Sequence, residues 1–322
     1  MKREDLIKLA KALHIDKLLY AIQNGTFQPM YKWTDEKLLR ANMRHYKHRM
    51  GYGFDIQSPR LFTEKVQWYK FFYDNPLLPY IADKLTFKQY IEEKLGPVYT
   101  IPIYCSWRNI DEFERDWKMG GVNLPKEFCL KANLQSDGRC IKIIHDKDAV
   151  DFEVLKEEVS QWFKIENTLV NSADRHFYNS TPMVFAEVYM SNFKDQLYDY
   201  KFFCFSGEPF CMYTAIEHFD EGVNADAYPI MFYDLDWNKM DVKYGHHPNC
   251  GKVPKPKHYE EMKVIARKLS KDFPFVRVDF FDTDEKLYMA ELTFNPGGGF
   301  VPYYPESFNK KMGDMFILPY ID

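Results

Sequence analysis

The stretch FVRVDFFDTDEKLYMAELTF, residues 275–294, constrains the fold more than any other part of the chain. Two runs rich in β-branched and aromatic residues flank the turn-forming DTDE, which predicts a β-hairpin. Side chains alternate across a strand, so Arg277 and Asp279 share one face while Val276, Val278 and Phe280 share the other. In the returning strand the same alternation groups Glu291, Thr293 and Asn295 against Ala290, Leu292 and Phe294. An odd number of turn residues would bring the two polar rows together, with Arg277 across from Glu291 and Asp279 beside it.

Two carboxylates, a hydroxyl and an amide converging on one sheet face are hard oxygen ligands. Such a set suits Mg²⁺, which takes few protein oxygens and completes its shell with phosphate and water. The same residues also suit an Arg–Asp/Glu ion-pair network on a solvated face, and the hairpin alone leaves both readings open. The glycines that follow, Gly297, Gly298 and Gly299, do not make a phosphate loop. A P-loop needs Lys and Ser/Thr after its last glycine, where Phe300 and Val301 stand. A dinucleotide fingerprint needs a third glycine where Pro302 stands.

The rest of the chain divides into a helix-rich first half and a hairpin-rich second half. Helical periodicity runs through residues 6–19, through YKWTDEKLLRANMRHYKHRM, SPRLFTEKVQWYKFFYDNP and YIADKLTFKQYIEEKLGP, and again through DFEVLKEEVSQWF and HYEEMKVIARKLSKDF. Short strands are expected in VYTIPIYCSW, NLPKEFCLKAN, PMVFAEVYM and IMFYDLDW, with a hairpin turning at Ser206-Gly207. Regular β–α alternation is missing, so the expected class is α+β with largely antiparallel sheets. The expected divisions are an N-terminal helical segment (1–57), an N-terminal lobe (58–125), a central domain (126–198) and a C-terminal domain (199–322).

Lysine and arginine number 43 against 47 acidic residues, a formal charge of −4, so no global basic field is available for nucleic acid. An anionic ligand must meet local cations. Lys131 ends an apolar strand and precedes a small polar loop containing Gln135, Ser136, Asp137 and Gly138, a plausible phosphate clamp; a solvated strand end is the plainer reading. Lys84 in ADKLTFKQY and Lys201 in DYKFF add two cations in well-packed settings. Six dispersed cysteines without a C-x-x-C pair, a charged N-terminus and no apolar run near the roughly 20 residues of a membrane span predict a reduced, cytoplasmic, soluble protein.

The order of these pieces resembles the ATP-grasp superfamily of carboxylate–amine ligases: DK opening a helix, a strand ending in lysine before a small-residue loop, AE on an apolar strand, then R-x-D and E-x-[NT]. LFTEKVQWYK, FCLKAN, DYKFFCFSG, FPFVRVDFF and AELTFNPGGGF resemble the TupA-like, teichuronopeptide-biosynthesis branch, associated with polysaccharide gene clusters. The resemblance runs from about Ser58 to the C-terminus. It implies an ATP-grasp fold, two α+β lobes holding ATP between them, with ATP and Mg²⁺ as cofactors.

It also implies roles. Lys84 and Lys131 resemble the two nucleotide-phosphate lysines, and residues 133–139 the lid over the β- and γ-phosphates. Glu187, Val188, Tyr189 and Met190 fall where the interdomain strand meets adenine, and Asp199 where an acid binds the ribose hydroxyls. Lys201 is placed to assist with the phosphates. Asp279 and Glu291 match the magnesium carboxylates, and Arg277 the arginine that neutralises an acyl phosphate. The usual third ligand, asparagine in E-x-N, is Thr293 here, with Asn295 two residues on. The lid departs from the glycine-rich pattern, since Asp137 brings a negative charge. The glycine turn (Gly297, Gly298, Gly299) and Tyr303 are expected beside the acyl acceptor.

The implied reaction joins a carboxylate to an amine through an acyl phosphate. The expected partners are a uronic acid or other carboxylate-bearing sugar of a cell-surface polysaccharide or its precursor, and a small amine. The rival is a nucleotide-sugar glycosyltransferase, for which Asp234-Leu-Asp236 and Asp282-Thr-Asp284 are formal D-x-D motifs. A nucleotide-binding protein without catalysis is the third reading. GHHPNC suggests zinc only weakly, because adjacent histidines point apart and a fourth ligand is not evident. The first helix suits packing on its own domain, or a weak membrane-surface or partner contact.

Overall fold

A computed structural model describes residues 34–134, 140–164, 180–190, 197–216 and 228–319. The expected first helix and residues 135–139 of the lid loop, with Gln135, Ser136, Asp137 and Gly138, lie outside them.

Two antiparallel sheets organise the chain. The elements of the first region are α1 (Asp35–Met50), α2 (Phe62–Phe72), α3 (Leu78–Ala82), α4 (Lys84–Leu95), β1 (Ile103–Trp107), α5 (Ile110–Met119), β2 (Phe128–Ala132), β3 (Ile141–Ile144), α6 (Phe152–Trp162) and β4 (Val184–Glu187). Then come β5 (Asp199–Phe205), β6 (Glu208–Ala215), β7 (Ile230–Asp234), β8 (Lys243–Tyr244), α7 (Tyr259–Ser270), β9 (Phe275–Asp282), β10 (Leu287–Thr293), β11 (Tyr303–Tyr304) and α8 (Glu306–Met315). Strand order is β1-β4-β2-β3 in one sheet and β10-β9-β5-β6-β7 in the other, and β11 pairs with β8.

The stretch read as one helix over YIADKLTFKQYIEEKL is two, α3 and α4, broken at Asp83. That residue is extended, and its carboxylate caps the amides of Leu85 and Thr86. An N-cap of this kind starts a helix and excludes its own residue from the preceding one. Lys84 therefore stands in the first turn of α4. The turn expected at Ser206-Gly207 is present, both residues having positive φ as a two-residue hairpin requires. Strand β3 and helices α5 and α8 were not anticipated.

The β9–β10 hairpin departs from the expected geometry in an informative way. Four residues, 283–286, separate the strands, and Leu287 faces Asp282. Continued regularly, that register would set Glu291 opposite Val278, on the face buried under α7. Instead an irregularity between Met289 and Glu291 absorbs Ala290, and Glu291 faces Asp279 while Thr293 faces Arg277. A one-residue bulge switches the face to which the remaining strand belongs. Leu287 and Met289 stay in the core, and Glu291 and Thr293 move to the polar side. The polar rows do meet, but Arg277 stands across from Thr293 rather than Glu291.

Each sheet has one apolar face. On the five-stranded sheet Phe202, Cys204, Val276, Val278, Phe280 and Leu292 pack with Met262, Ile265, Ala266 and Leu269 of α7. The other face is divided. At one end Phe203, Phe205 and Phe275 meet Phe62 of α2 and Phe316, with ring centroids 4.9 Å apart for Phe62 and Phe275. At the other end the same rows continue as Lys201, Asp199, Arg277 and Asp279. On the four-stranded sheet α5 and α6 bury Leu130, Ala132, Val184 and Ala186 with Trp107, Phe113 and Trp162. Its opposite face carries Lys131 and Glu187.

Candidate active site

The first half of the site lies on the four-stranded sheet. Glu187 pairs with Cys129 in register, which makes Lys131 its diagonal neighbour. The Glu187 carboxylate is held by Lys131 at 2.6 Å and by Lys88 of α4 at 2.9 Å. Burial pushes its acidity down, but the two ammonium groups outweigh burial and hold its pKa at about 2. Lys88 also donates to the Ile101 carbonyl, so one side chain ties α4 to β4 and to the segment before β1.

Asn133 joins the start of α4 to the end of β2. Its amide donates to Asp83 and to the Thr181 carbonyl, its side-chain oxygen accepts from Met183 N–H, and its backbone carbonyl accepts from Lys84 N–H at 3.0 Å. This buried residue fixes the two expected phosphate lysines relative to each other. Lys88 is not singled out in the sequence, and Asn133, expected to begin the lid, instead anchors the end of β2. The only signal was the asparagine closing FCLKAN, and an i,i+4 lysine pair on α4.

The second half lies on the five-stranded sheet. Asp279 is fully buried and Arg277 nearly so. Arg277 makes a two-pronged contact, Nε to Oδ1 at 2.8 Å and a terminal nitrogen to Oδ2 at 2.5 Å. It also donates to Thr293 Oγ1 at 2.9 Å, approaches the Tyr213 hydroxyl at 3.4 Å and reaches Glu291 at 3.8 Å. Lys201 lies between Asp199 and Asp279 and pairs with both. Such geometry, two charges with well-matched forks, is what makes burial of ionised groups tolerable.

Lys84 links the halves. Burial lowers its pKa, and the charges acting on it include Glu291 from the hairpin and Lys131 and Glu187 from the other sheet. The two polar faces therefore share one electrostatic environment around the first turn of α4.

The other expected site residues fall as follows. Val188 and Met190 join Ile101, Leu197, Phe281 and Tyr288 in an apolar cluster between the end of β4 and the end of the hairpin. Tyr189 packs edge-on against His145. Asn295 begins the turn Pro296–Gly299, in which Gly297, Gly298 and Gly299 all have positive φ. A Cβ on Gly297 would lie 2.2 Å from the Tyr244 hydroxyl, and one on Gly299 would lie 2.3 Å from the Gln67 amide nitrogen. The turn thus rests flush on α2 and β8. Tyr303 is buried among Phe62, Phe203, Phe232 and Tyr244.

The D-x-D carboxylates serve local structure. Asp234 caps its own turn through the amides of Asp236 and Asn238, and Asp282 accepts from His258 and from the Asp284 amide. In GHHPNC the ring of His247 bonds the Tyr228 carbonyl and Cys250 contacts Thr214. No group of three or more potential metal-binding His, Cys, Asp or Glu side chains occurs among the described residues. No helix among them is long and apolar enough to cross a membrane.

Known structures overlap this chain distantly. D-alanine–D-alanine ligase from Bacillus anthracis is 17% identical, with a TM-score of 0.37, covering 67% of this chain and 57% of its own. The enzyme of that name from Helicobacter pylori is 15% identical, with a TM-score of 0.39 and coverages of 75% and 62%. The biotin carboxylase domain of Hydrogenobacter thermophilus 2-oxoglutarate carboxylase, solved with MgADP, is 15% identical, with a TM-score of 0.39 and coverages of 68% and 40%. The chain therefore spans between 40% and 62% of the length of these structures. No curated protein matches the sequence. The family model of the TupA-like ATPgrasp proteins matches residues 64–317, which takes in both sheets and every cation and carboxylate described above. The chain belongs to the TupA-like ATPgrasp family and has the ATP-grasp fold.

Proposed function

We propose that the protein is an ATP-dependent, ADP-forming carboxylate–amine ligase whose nucleotide lies between the two polar sheet faces. The observation that carries this reading is the pair of buried charged clusters, Glu187 held by Lys88 and Lys131 and Asp279 held by Arg277 and Lys201, with Lys84 fixed beside the first by the Asn133 carbonyl. Lys84 and Lys131 would hold the phosphates, and the apolar cluster of Val188, Met190 and Tyr288 would receive adenine. Asp199 is the proposed ribose contact.

The residues fit Mg²⁺. Asp279 and Glu291 stand directly opposite each other in register, and both are hard oxygen donors. In the present arrangement Arg277 and Lys201 supply the positive charge that a buried Asp279 requires. Bound magnesium would neutralise phosphate charge. Thr293 Oγ1 already accepts from Arg277, which leaves the side-chain oxygen of Asn295 as the better third donor.

In the proposed reaction an oxygen of the substrate carboxylate attacks the γ-phosphorus of ATP. The bond from that phosphorus to the bridging oxygen breaks, and ADP leaves. Arg277 stabilises the acyl phosphate. An amine then attacks its carbonyl carbon and phosphate departs, giving an amide and a released proton. Positioning and charge neutralisation carry such transfers, without a protein nucleophile. The proposed carboxylate donor is a uronic acid or other acidic sugar of a cell-surface polysaccharide or its precursor, and the acceptor a small amine. The test is MgATP-dependent ADP release across a panel of uronic-acid glycans and amines. Release that requires both substrates supports the ligase; stabilisation of the protein by UDP- or GDP-sugars but not by MgATP overturns it.

A further inference from the structure

Arg277 has more hydrogen-bond donors than its partners use. A guanidinium carries five N–H groups in a fixed fork. Nε gives its proton to Asp279, and Nη2 gives one to Asp279 and one to Thr293 Oγ1. Nη1 gives one to the Tyr213 hydroxyl, at a long 3.4 Å, and its second N–H meets no acceptor among the described residues. Glu291 approaches Nη2, not Nη1. The part of the guanidinium that does not grip Asp279 is therefore open to a ligand.

Tyr213 is in the same condition. It stands on β6 opposite Lys201, Lys201 stands opposite Asp279, and Asp279 opposite Glu291, so one transverse row carries all four side chains on one face of the sheet. Its ring packs against Phe203 and Phe232, with centroids 5.9 and 5.1 Å away. The residue is 1% exposed; its hydroxyl accepts from Arg277, while its own O–H proton has no acceptor among the described residues. Burial raises its pKa well above the usual tyrosine value, against the pull of Arg277, so the group remains a protonated donor. Just beyond, the Tyr244 ring lies 6.0 Å from that of Tyr213 and 4.7 Å from that of Tyr303. The Tyr303 hydroxyl is buried as well, and its approach to Tyr244 falls short of a hydrogen bond. Buried donors are nearly always satisfied, so donors gathered without an acceptor point to an oxygen supplied by a ligand.

We propose that Tyr213 Oη and Arg277 Nη1 together bind one oxygen of the reacting carboxyl group of the acyl substrate. The identity of that group rests on the ligase reading; the donor pair does not. Donor atoms 3.4 Å apart can both reach a single oxygen at ordinary hydrogen-bond length, about 2.7–3.1 Å from each. The other carboxylate oxygen attacks the γ-phosphorus, so the bound one becomes the carbonyl oxygen of the acyl phosphate. When the amine adds to the carbonyl carbon, the carbonyl π electrons move onto that oxygen. Both donors hold the charge until phosphate leaves and the carbonyl re-forms, and Tyr213 keeps its proton throughout.

The test places a single 3-fluorotyrosine at position 213 of the full chain and follows its fluorine NMR signal. Sodium acetate and sodium glucuronate are titrated separately, with and without saturating MgADP, against glucuronamide and sodium chloride at matched ionic strength. The expected result is a saturable shift with a carboxylate and none with the neutral amide or chloride. A response to either carboxylate supports the oxygen site, and a response to acetate alone also turns the donor away from uronic acids. No saturable shift with either, or one matched by glucuronamide or chloride, overturns it. With the substrate pair found by ADP release, Tyr213→Phe should lower kcat/KM for the acid about a hundredfold and leave ADP affinity unchanged. A lower unfolding temperature with that ratio intact would show a purely structural tyrosine and overturn the proposal. Failure of the wild-type chain to bind ADP, or to release it with any pair, strikes the ligase reading instead, and the fluorine titration without nucleotide still decides the oxygen site.

Discussion

The two halves of the site hold opposite balances of charge. At the four-stranded sheet Lys131 and, from helix α4, Lys88 surround one carboxylate, Glu187. On the five-stranded sheet Lys201 and Arg277 face three, Asp199, Asp279 and Glu291. Among the described residues both clusters are well paired, with two cations to one carboxylate in the first and two cations to three carboxylates in the second. Lys84 adds to the positive side while feeling the negative one. In the proposed ligase the cation-rich side would meet phosphate and the carboxylate-rich side a divalent metal, the two components of MgATP.

The strongest way to break this contrast is to remove the carboxylates singly. Asp279→Asn leaves Arg277 and Lys201 buried against a neutral amide and should cost about 3–5 kcal/mol of stability, along with MgATP-dependent ADP release. Glu291→Gln should abolish the same release with a stability change within about 1 kcal/mol, since that side chain is 43% exposed and 3.8 Å from Arg277. Thermal unfolding beside an ADP assay separates them. Equal destabilisation by the two would mean that the negative side is structural throughout, and persistence of activity in both would remove the metal assignment.

The positive half makes a prediction in pH. Glu187 has its pKa depressed from 4.5 to about 2, so its contribution is complete above the unfolded value and is lost as pH falls through 4.5 toward 2. The depression corresponds to about 3 kcal/mol. Glu187→Gln should remove this part of the acid dependence, seen as a flatter stability curve between pH 5 and 2 in urea titrations, both pH limits being approximate bounds of the linkage window. An unaltered curve would show that Lys88 and Lys131 do not hold that carboxylate ionised.

A binding measurement sharpens the division further. Lys131→Met should weaken ADP by about tenfold, roughly 1.4 kcal/mol, with or without magnesium, whereas Glu291→Gln should weaken it only with magnesium present. Calorimetry in EDTA and in Mg²⁺ decides, and equal sensitivity to metal in both variants would dissolve the contrast. An effect on stability alone concerns the turn. Gly297→Ala, at φ +57° and 2.2 Å from the Tyr244 hydroxyl, should cost about 1–3 kcal/mol, and adding Tyr244→Phe should restore part of it. Chemical denaturation of the single and double variants checks this; no recovery would place the strain in the backbone alone.

The broad architecture could be read from period and punctuation. Alternation identified β9 and β10, Ser206-Gly207 marked the β5–β6 turn, and the order of lysines and carboxylates carried the family resemblance. What escaped was information not held in local pattern. Lys88 looks like any solvated helical lysine until β4 is placed beside it. The break at Asp83 depends on a capping interaction and on Asn133, 50 residues away. The pairing across the hairpin was misjudged because a bulge is invisible to strict alternation: Ala290 is an ordinary strand residue in sequence.

That bulge also affects how relatives of this chain can be aligned. Pairing of Glu291 with Asp279 depends on Ala290 standing outside the ladder. A relative lacking that one residue would keep the same carboxylates face to face, now one position closer to the DTDE turn. Its E-x-T would then appear displaced in any comparison that forbids gaps within strands. The carboxylate would look lost when only the spacing had changed, so Ala290 is the position at which an alignment of this hairpin should be allowed to open.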